Sequence, residues 1–132
     1  MPAVRAFRAA AFALAIAVPT VLSAPALAGG AGSGTFTGQS NHETRGAVTV
    51  VKAQGGWEIH LEDSFWFDGA PDPRVAFGTD GKFAKGTDFE PLRENAGKQV
   101  YKVPAGIDPE SFDTVVIWCR KFSVPLGYAK LN

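Results

Sequence analysis

The chain has 132 residues, with 13 Lys and Arg set against 13 Asp and Glu, so its formal charge at pH 7 is zero. That balance, with no basic run interleaved with aromatics, gives a nucleic-acid interface no electrostatic footing. The length allows one domain with a modest core, and a single cysteine, Cys119, excludes an internal disulfide.

The N-terminus has the form of an export signal. Arg5 and Arg8 supply a positive start, an apolar run from Ala9 to Val18 follows and breaks at Pro19, and Ala26-Leu27-Ala28 gives the small-x-small cleavage pattern. The run is shorter than the ~20 residues a membrane-spanning helix needs. Residues 1–28 are therefore expected to be removed, leaving no membrane span. No Arg-Arg pair marks the twin-arginine route, and no cysteine near the cleavage point offers a lipid anchor. The Ala-rich signal is of bacterial type, so the expected destination is the periplasm or the medium. Without Arg5 and Arg8, 13 acidic residues face 11 basic ones.

Residues 29–34 (GGAGSG) read as a flexible leader to a single domain over 35–132. Beyond the leader the hydrophobic period is two. Ala47 to Lys52 is rich in β-branched residues and ends at the turn Gln54-Gly55-Gly56. From Trp57 to Glu62 the alternation is strict, with Trp57, Ile59 and Leu61 on one face and Glu58, His60 and Glu62 on the other. Asp68 to Pro73 is a loop, followed by a short strand from Arg74 to Phe77 and a tight hairpin turn at Asp80-Gly81. Short strands follow at Phe89 to Leu92 and Gln99 to Val103. Asp108-Pro109-Glu110 has the order of a cap, a first-turn proline and an acidic first-turn residue, so one helical turn is expected there. Thr114 to Phe122 is apolar on both faces, as a central covered strand should be, and Tyr128 to Leu131 closes the sheet with Pro125 at an edge. The expected fold is all-β: an antiparallel β-sandwich of about eight short strands, with a small barrel as the alternative.

Catalytic motifs are mostly missing. The chain has no G-x-S-x-G, no H-E-x-x-H and no glycine-rich phosphate loop. Glu58, His60 and Glu62 share a strand face at a spacing that can hold zinc or copper, but this is also what a solvated strand face looks like, and that is the expectation. Asp63, Asp68 and Asp72 cluster at a turn without the spacing of an EF-hand, and turn chemistry accounts for Asp68 and Asp72. Trp66 and Trp118 raise the thought of a carbohydrate platform. Most aromatics of so small a domain belong in its core, with Trp66, opposite Phe65 and Phe67, the expected exception.

Cys119 is the sharper case. Alternation places it with Val115 and Ile117 on one face, and Val116 with Trp118 on the other. A free cysteine is often a small buried hydrophobe, and burial among apolar groups leaves a thiol inert. Against that, Arg120 and Lys121 follow at once, and positive charge favours a thiolate that it can reach. A lone thiol in an exported chain also departs from the usual paired cysteines.

The segment from Val115 to Leu131, VVIWCRKFSVPLGYAKL, resembles the signature of the DM-thirteen domain family, the electron-transfer DM domain. Trp118, Cys119, Phe122, Val124, Gly127, Ala129 and Leu131 carry the match. Upstream, Gly34, Phe36, His42 and Gly46 resemble the family's opening. Leu61-Glu62-Asp63 with Phe65 resembles its L-E-x-F element. Gly69, Pro71, Asp72, Arg74 and Val75 resemble its G-P-D-x-x-V loop, with Ala70 inserted and Pro73 added. Gly97, Gln99, Tyr101 and Pro104 resemble its G-x-Q-x-Y-x-x-P stretch. Pro125 departs from the pattern, standing where the family often has an ordinary strand residue. The resemblance implies an all-β, extracytoplasmic domain with a redox-active cysteine, found in animals beside DOMON and cytochrome-type modules. It marks Cys119 as the redox thiol, with His42, Trp118 and Arg120 in support, and a redox partner protein in the cell envelope. Haem and copper are the cofactors it leaves open. On this reading a thiol reagent should reach Cys119 in the folded protein unless a metal or haem already occupies it. The alternative is a non-catalytic extracytoplasmic binding or adhesion module in which Cys119 is core packing. A stand-alone enzyme is the least supported reading.

Overall fold

The computed structural model describes residues 31–132 and, from the N-terminal segment, residues 13 and 15–17. The signal reading, the cleavage point at Ala28 and the start of the leader otherwise lie outside the described residues.

The first sheet is built on the hairpin that the alternation announces. Strands β4 (Ala47–Ala53) and β5 (Gly56–Leu61) pair from Val48↔Leu61 to Ala53↔Gly56 around Gln54-Gly55. Val48, Val50, Ile59 and Leu61 are wholly buried, so their shared face is the core face. Glu58 and His60 lie on the other face, half-buried, with His60 Nε2 3.1 Å from Glu58 Oε1. Strand β1 (Gly32–Thr35) adds to β4 and β10 (Gln99–Lys102) adds to β5, giving the order β1-β4-β5-β10. The leader is thus strand from Gly32 onward. Its backbone pairs with Ala47 to Val50, and Ser33 exchanges hydrogen bonds with Asn132 at 3.3 and 2.9 Å. Ladder bonding alone specifies it, because Gly-Ser-Gly has no apolar side chains to show a period.

The second sheet centres on β11 (Thr114–Cys119), held between β7 (Pro73–Thr79) and β12 (Val124–Lys130). Two-residue strands complete it: β2 (Thr37–Gly38) on β12, and β8 (Lys82–Phe83) and β9 (Glu90–Pro91) on β7. The β7–β8 turn is Asp80-Gly81, with φ of 52° and 78°, the doubly left-handed turn that matches strand twist. Strand β11 stops at Cys119, three residues before the expected end at Phe122. Arg120 to Ser123 form the hairpin turn instead, and Ser123 takes φ 52° to close it. A two-stranded ribbon, β3 (Thr44–Arg45) with β6 (Trp66–Phe67), sits beside the sheets. The expected helical turn is a 3-10 turn over Pro109–Ser111, capped by the Asp108 carboxylate, which accepts from the Glu110 amide at 3.1 Å.

Both sheets are open, so the fold is a sandwich and not a barrel. One core cluster unites Val48, Ile59 and Tyr101 of the first sheet with Phe77, Val115, Ile117 and Leu126 of the second. Among the described residues twelve strands form rather than about eight, and five of them have only two residues, too short for a period to show.

Strand β12 carries a β-bulge. The pairing runs Val124↔Cys119 and Pro125↔Trp118, then resumes at Gly127↔Ile117, leaving Leu126 as the extra residue. The Leu126 side chain is buried, and its carbonyl accepts from Thr44 Oγ1 at 2.9 Å and from the Gln39 amide at 3.0 Å. Pro125 therefore stands beside an irregularity, one of the few places in a sheet where a missing N–H is harmless.

Candidate functional site

Strand alternation does to the Trp118-Cys119 pair what the sequence predicts. Cys119 joins Val115 and Ile117 in the core between the sheets. Trp118 lies on the opposite face with Val116, where Val116 is wholly buried and Trp118 is partly exposed. Cys119 is 1% exposed, so the expectation of an accessible sulfur is not met in this structure. Its strand carries no polar residue on the core face, and apolar burial of this kind protects a thiol from reagents.

The residues expected to support the thiol are engaged elsewhere. Arg120 follows Cys119 on the opposite side of the chain, and its Nε meets Asp88 Oδ2 at 2.8 Å. The Arg120 amide donates to the Asp72 carbonyl at 3.1 Å, tying the Asp68–Pro73 loop to the end of β11. Lys121 lies over the exposed Phe122 ring, 5.5 Å from its centroid. His42 Nδ1 is 2.7 Å from Asp68 Oδ1, and its ring tilts against Phe67 at 5.7 Å. Asp68 Oδ2 also accepts from the Glu43 amide at 2.9 Å. Partial burial works upward on the Asp68 carboxyl, but the Glu43 amide and the His42 ring outweigh it and hold the group below the usual carboxylate range. His42 thus braces the loop that begins at Asp68. Its own turn is anchored on β12, where Gln39 bonds to Leu126 and the Ser40 hydroxyl donates to the Pro125 carbonyl. Loop bracing and strand end meet at one end of the sandwich, because Pro125 is the cross-strand partner of Trp118.

On the outer face, Trp118 stacks on Phe83 with ring centroids 3.8 Å apart and planes 11° apart. Both rings line an open cleft of about 540 Å³, together with Lys85, Asp88 and Arg120. Two of the four expected residues, Trp118 and Arg120, therefore share a surface site, while Cys119 lies on the core side of the same strand. Phe83, Lys85 and Asp88 were not anticipated. The one sequence signal for Phe83 is the Asp80-Gly81 turn, which folds β8 back onto β7 and so into the plane of the sheet.

Among the described residues the side chains do not form a copper site. Among the described residues no three His, Cys, Asp or Glu side chains are grouped to hold a metal. A cysteine-histidine copper centre needs a sulfur and two imidazoles converging, whereas His42 and His60 are each bound to a different carboxylate and the sulfur is in the core. Glu58 and His60 pair with each other, as their shared face allows. Asp72 pairs with Arg74 at 2.8 Å, in keeping with turn chemistry.

The Gln99 and Tyr101 pair has a bracing role. Tyr101 is wholly buried; its hydroxyl donates to Gln99 Oε1 at 2.6 Å and accepts from the Arg93 amide at 2.9 Å. Gln99 in turn bonds Glu94 through both ends of its amide. Burial pushes the Tyr101 phenol up, and the Arg93 amide and guanidinium pull against that. This network holds the loop between β9 and β10. Trp66 behaves as expected: Phe65 and Phe67 are buried, and Trp66 is partly exposed beneath the Arg45 guanidinium at 4.4 Å.

Residues 35–131 match the model of the family described as electron transfer DM13. No curated protein and no solved structure matches the chain. The match spans nearly the whole described domain, and the chain belongs to the electron transfer DM13 family.

Proposed function

We propose that this chain is an exported electron-transfer accessory domain whose redox group is the Cys119 thiol, reached when the β11–β12 hairpin end opens. The observation that carries the reading is a lone thiol at the last position of a central strand in a domain of an electron-transfer family. Arg120, Lys121 and Phe122, the next three residues, are all exposed turn residues, so a local opening at this end disturbs little of the core. Residues 1–28 support export to the periplasm or medium, where a redox partner in the cell envelope would meet the domain. Among the described residues no helix is long and apolar enough to cross a membrane.

The elementary step is thiol–disulfide exchange. The Cys119 thiol loses its proton, the thiolate attacks a disulfide sulfur to form a mixed disulfide, and the other half leaves as a thiolate that takes up a proton. The test offers oxidised glutathione to the native exported protein. Mass spectrometry should show one glutathione joined at Cys119, at a rate well above that of global unfolding. Cys119→Ser should take up none, and the domain should still fold, with about 1–3 kcal/mol lost in unfolding free energy for burying a hydroxyl in the apolar core.

A second reading, a binding module with Cys119 as packing, is favoured by the 1% exposure of that residue. It requires that modification proceed no faster than global unfolding. Labelling rates measured against denaturant separate the two readings, because local opening is insensitive to low denaturant and global unfolding is not.

A further inference from the structure

We propose that the cleft beside the Phe83–Trp118 stack binds a planar conjugated ring compound carrying an anionic group. Three observations lead there. The cleft, at about 540 Å³, has the capacity of a small-molecule site and mainly apolar walls. Its aromatic component is a near-parallel pair with ring centroids 3.8 Å apart, and a further flat ring can stack against such a pair. Its polar component is cationic. Lys85 is exposed and has no ion-pair partner among the described residues, while Asp88 answers Arg120 alone. Lys121 follows in the adjoining turn. Lys85 thus leaves the cleft lining one positive charge in excess, on a chain that, without Arg5 and Arg8, carries more acid than base. A neutral sugar would meet the aromatic wall but leave Lys85 unanswered, and an anion without a ring would leave the stack unused. A ring bearing a carboxylate or phosphate satisfies both.

This site lies on the outer face of β11, and the inference stands apart from the thiol on the core face. The probes are flavin mononucleotide and riboflavin, which share one flat ring system and differ by a phosphate. Each is titrated into the exported protein, with calorimetry and flavin fluorescence as readouts. Flavin mononucleotide should bind saturably and riboflavin about tenfold more weakly, the loss expected for one charge-assisted contact. Lys85→Gln should bring flavin mononucleotide down to the riboflavin level, and being exposed it leaves the fold alone. Phe83→Ala should weaken both by about tenfold or more by removing half the stack. Cys119→Ser should bind as the parent does, so loss of the redox reading leaves this one standing. No binding of either flavin, equal binding of the two, or selective binding of a neutral oligosaccharide such as cellohexaose overturns the proposal.

Discussion

Replacing Gly127 by alanine tests whether the glycine of the family signature exists for packing. On the core face of β12, Gly127 sits opposite Ile117, and the space a side chain would fill belongs to Thr44 of β3. An added methyl would lie 2.6 Å from Thr44 Cβ and Oγ1 and 2.8 Å from Cγ2, against the ~3.5–4.0 Å of an ordinary carbon contact. Thr44 is 3% exposed and cannot swing into solvent. Moving it breaks the bond from its hydroxyl to the Leu126 carbonyl, worth about 1 kcal/mol. Overpacking adds about 1–3 kcal/mol, so Gly127→Ala should cost about 2–4 kcal/mol by chemical denaturation. Thr44→Gly removes every contacted atom and should by itself cost about 2 kcal/mol, from the lost bond and the glycine in a strand. The double variant should then be within about 1 kcal/mol of Thr44→Gly alone, a strong coupling in the cycle. If the two costs simply add, or Gly127→Ala is nearly neutral, the clash is not why glycine stands there.

Three further outcomes follow from the same structure. Ile59→Asp buries an unpaired charge in the core of β5 and should cost at least 3 kcal/mol, on the order expected for such a charge, whereas His60→Ala on the half-buried face should cost less than about 1 kcal/mol; denaturant midpoints of the two rank them, and a reversed order would mean the strand register is wrong. The Asp68 carboxyl is held below its unfolded value of about 4, so the stability it contributes is present above that pH and is lost as pH falls through the folded value. Asp68→Asn should therefore flatten the acid limb of the stability profile below about pH 4, and an unchanged limb would refute the assignment. Intact-mass measurement of exported protein should find Gly29 at the N-terminus, and recovery of a full-length membrane-bound form would overturn the export reading.

Legibility in this chain follows side-chain period. The β4–β5 hairpin shows itself because Ile59 and Leu61 alternate with Glu58 and His60 next to a glycine turn. The faces of β11 show themselves because every residue from Val115 to Cys119 has a side chain large enough to be assigned. Strand β1 does not, since its Gly-Ser-Gly is held by backbone bonds to β4 and to Asn132 alone. The strands β2, β3, β6, β8 and β9 do not either, because two residues cannot display a period. The early end of β11 hides for another reason: Arg-Lys-Phe reads as strand, and the turn depends on Ser123 accepting a left-handed backbone. The cleft was hidden because its parts come from β8, the loop after it and β11, which only the sheet order brings together.

The Trp-Cys dipeptide that carries the family signature therefore faces two ways. In a strand, neighbours point to opposite sides, so a motif that places tryptophan on the cleft must place the next residue in the core. Packing is enough to require a small apolar group at position 119, and a cysteine there is explained by the core before any chemistry is invoked. The tryptophan is not explained in that way, since its face is outward and its partner, Phe83, is itself only partly buried. Substitution on one face leaves the other in place, which makes the two assignments separable. Serine at 119 with flavin binding intact and glutathione uptake gone would put redox chemistry in the core and ligand recognition on the surface. Serine at 119 with no change in any redox property would leave the outward face of β11 as the functional one.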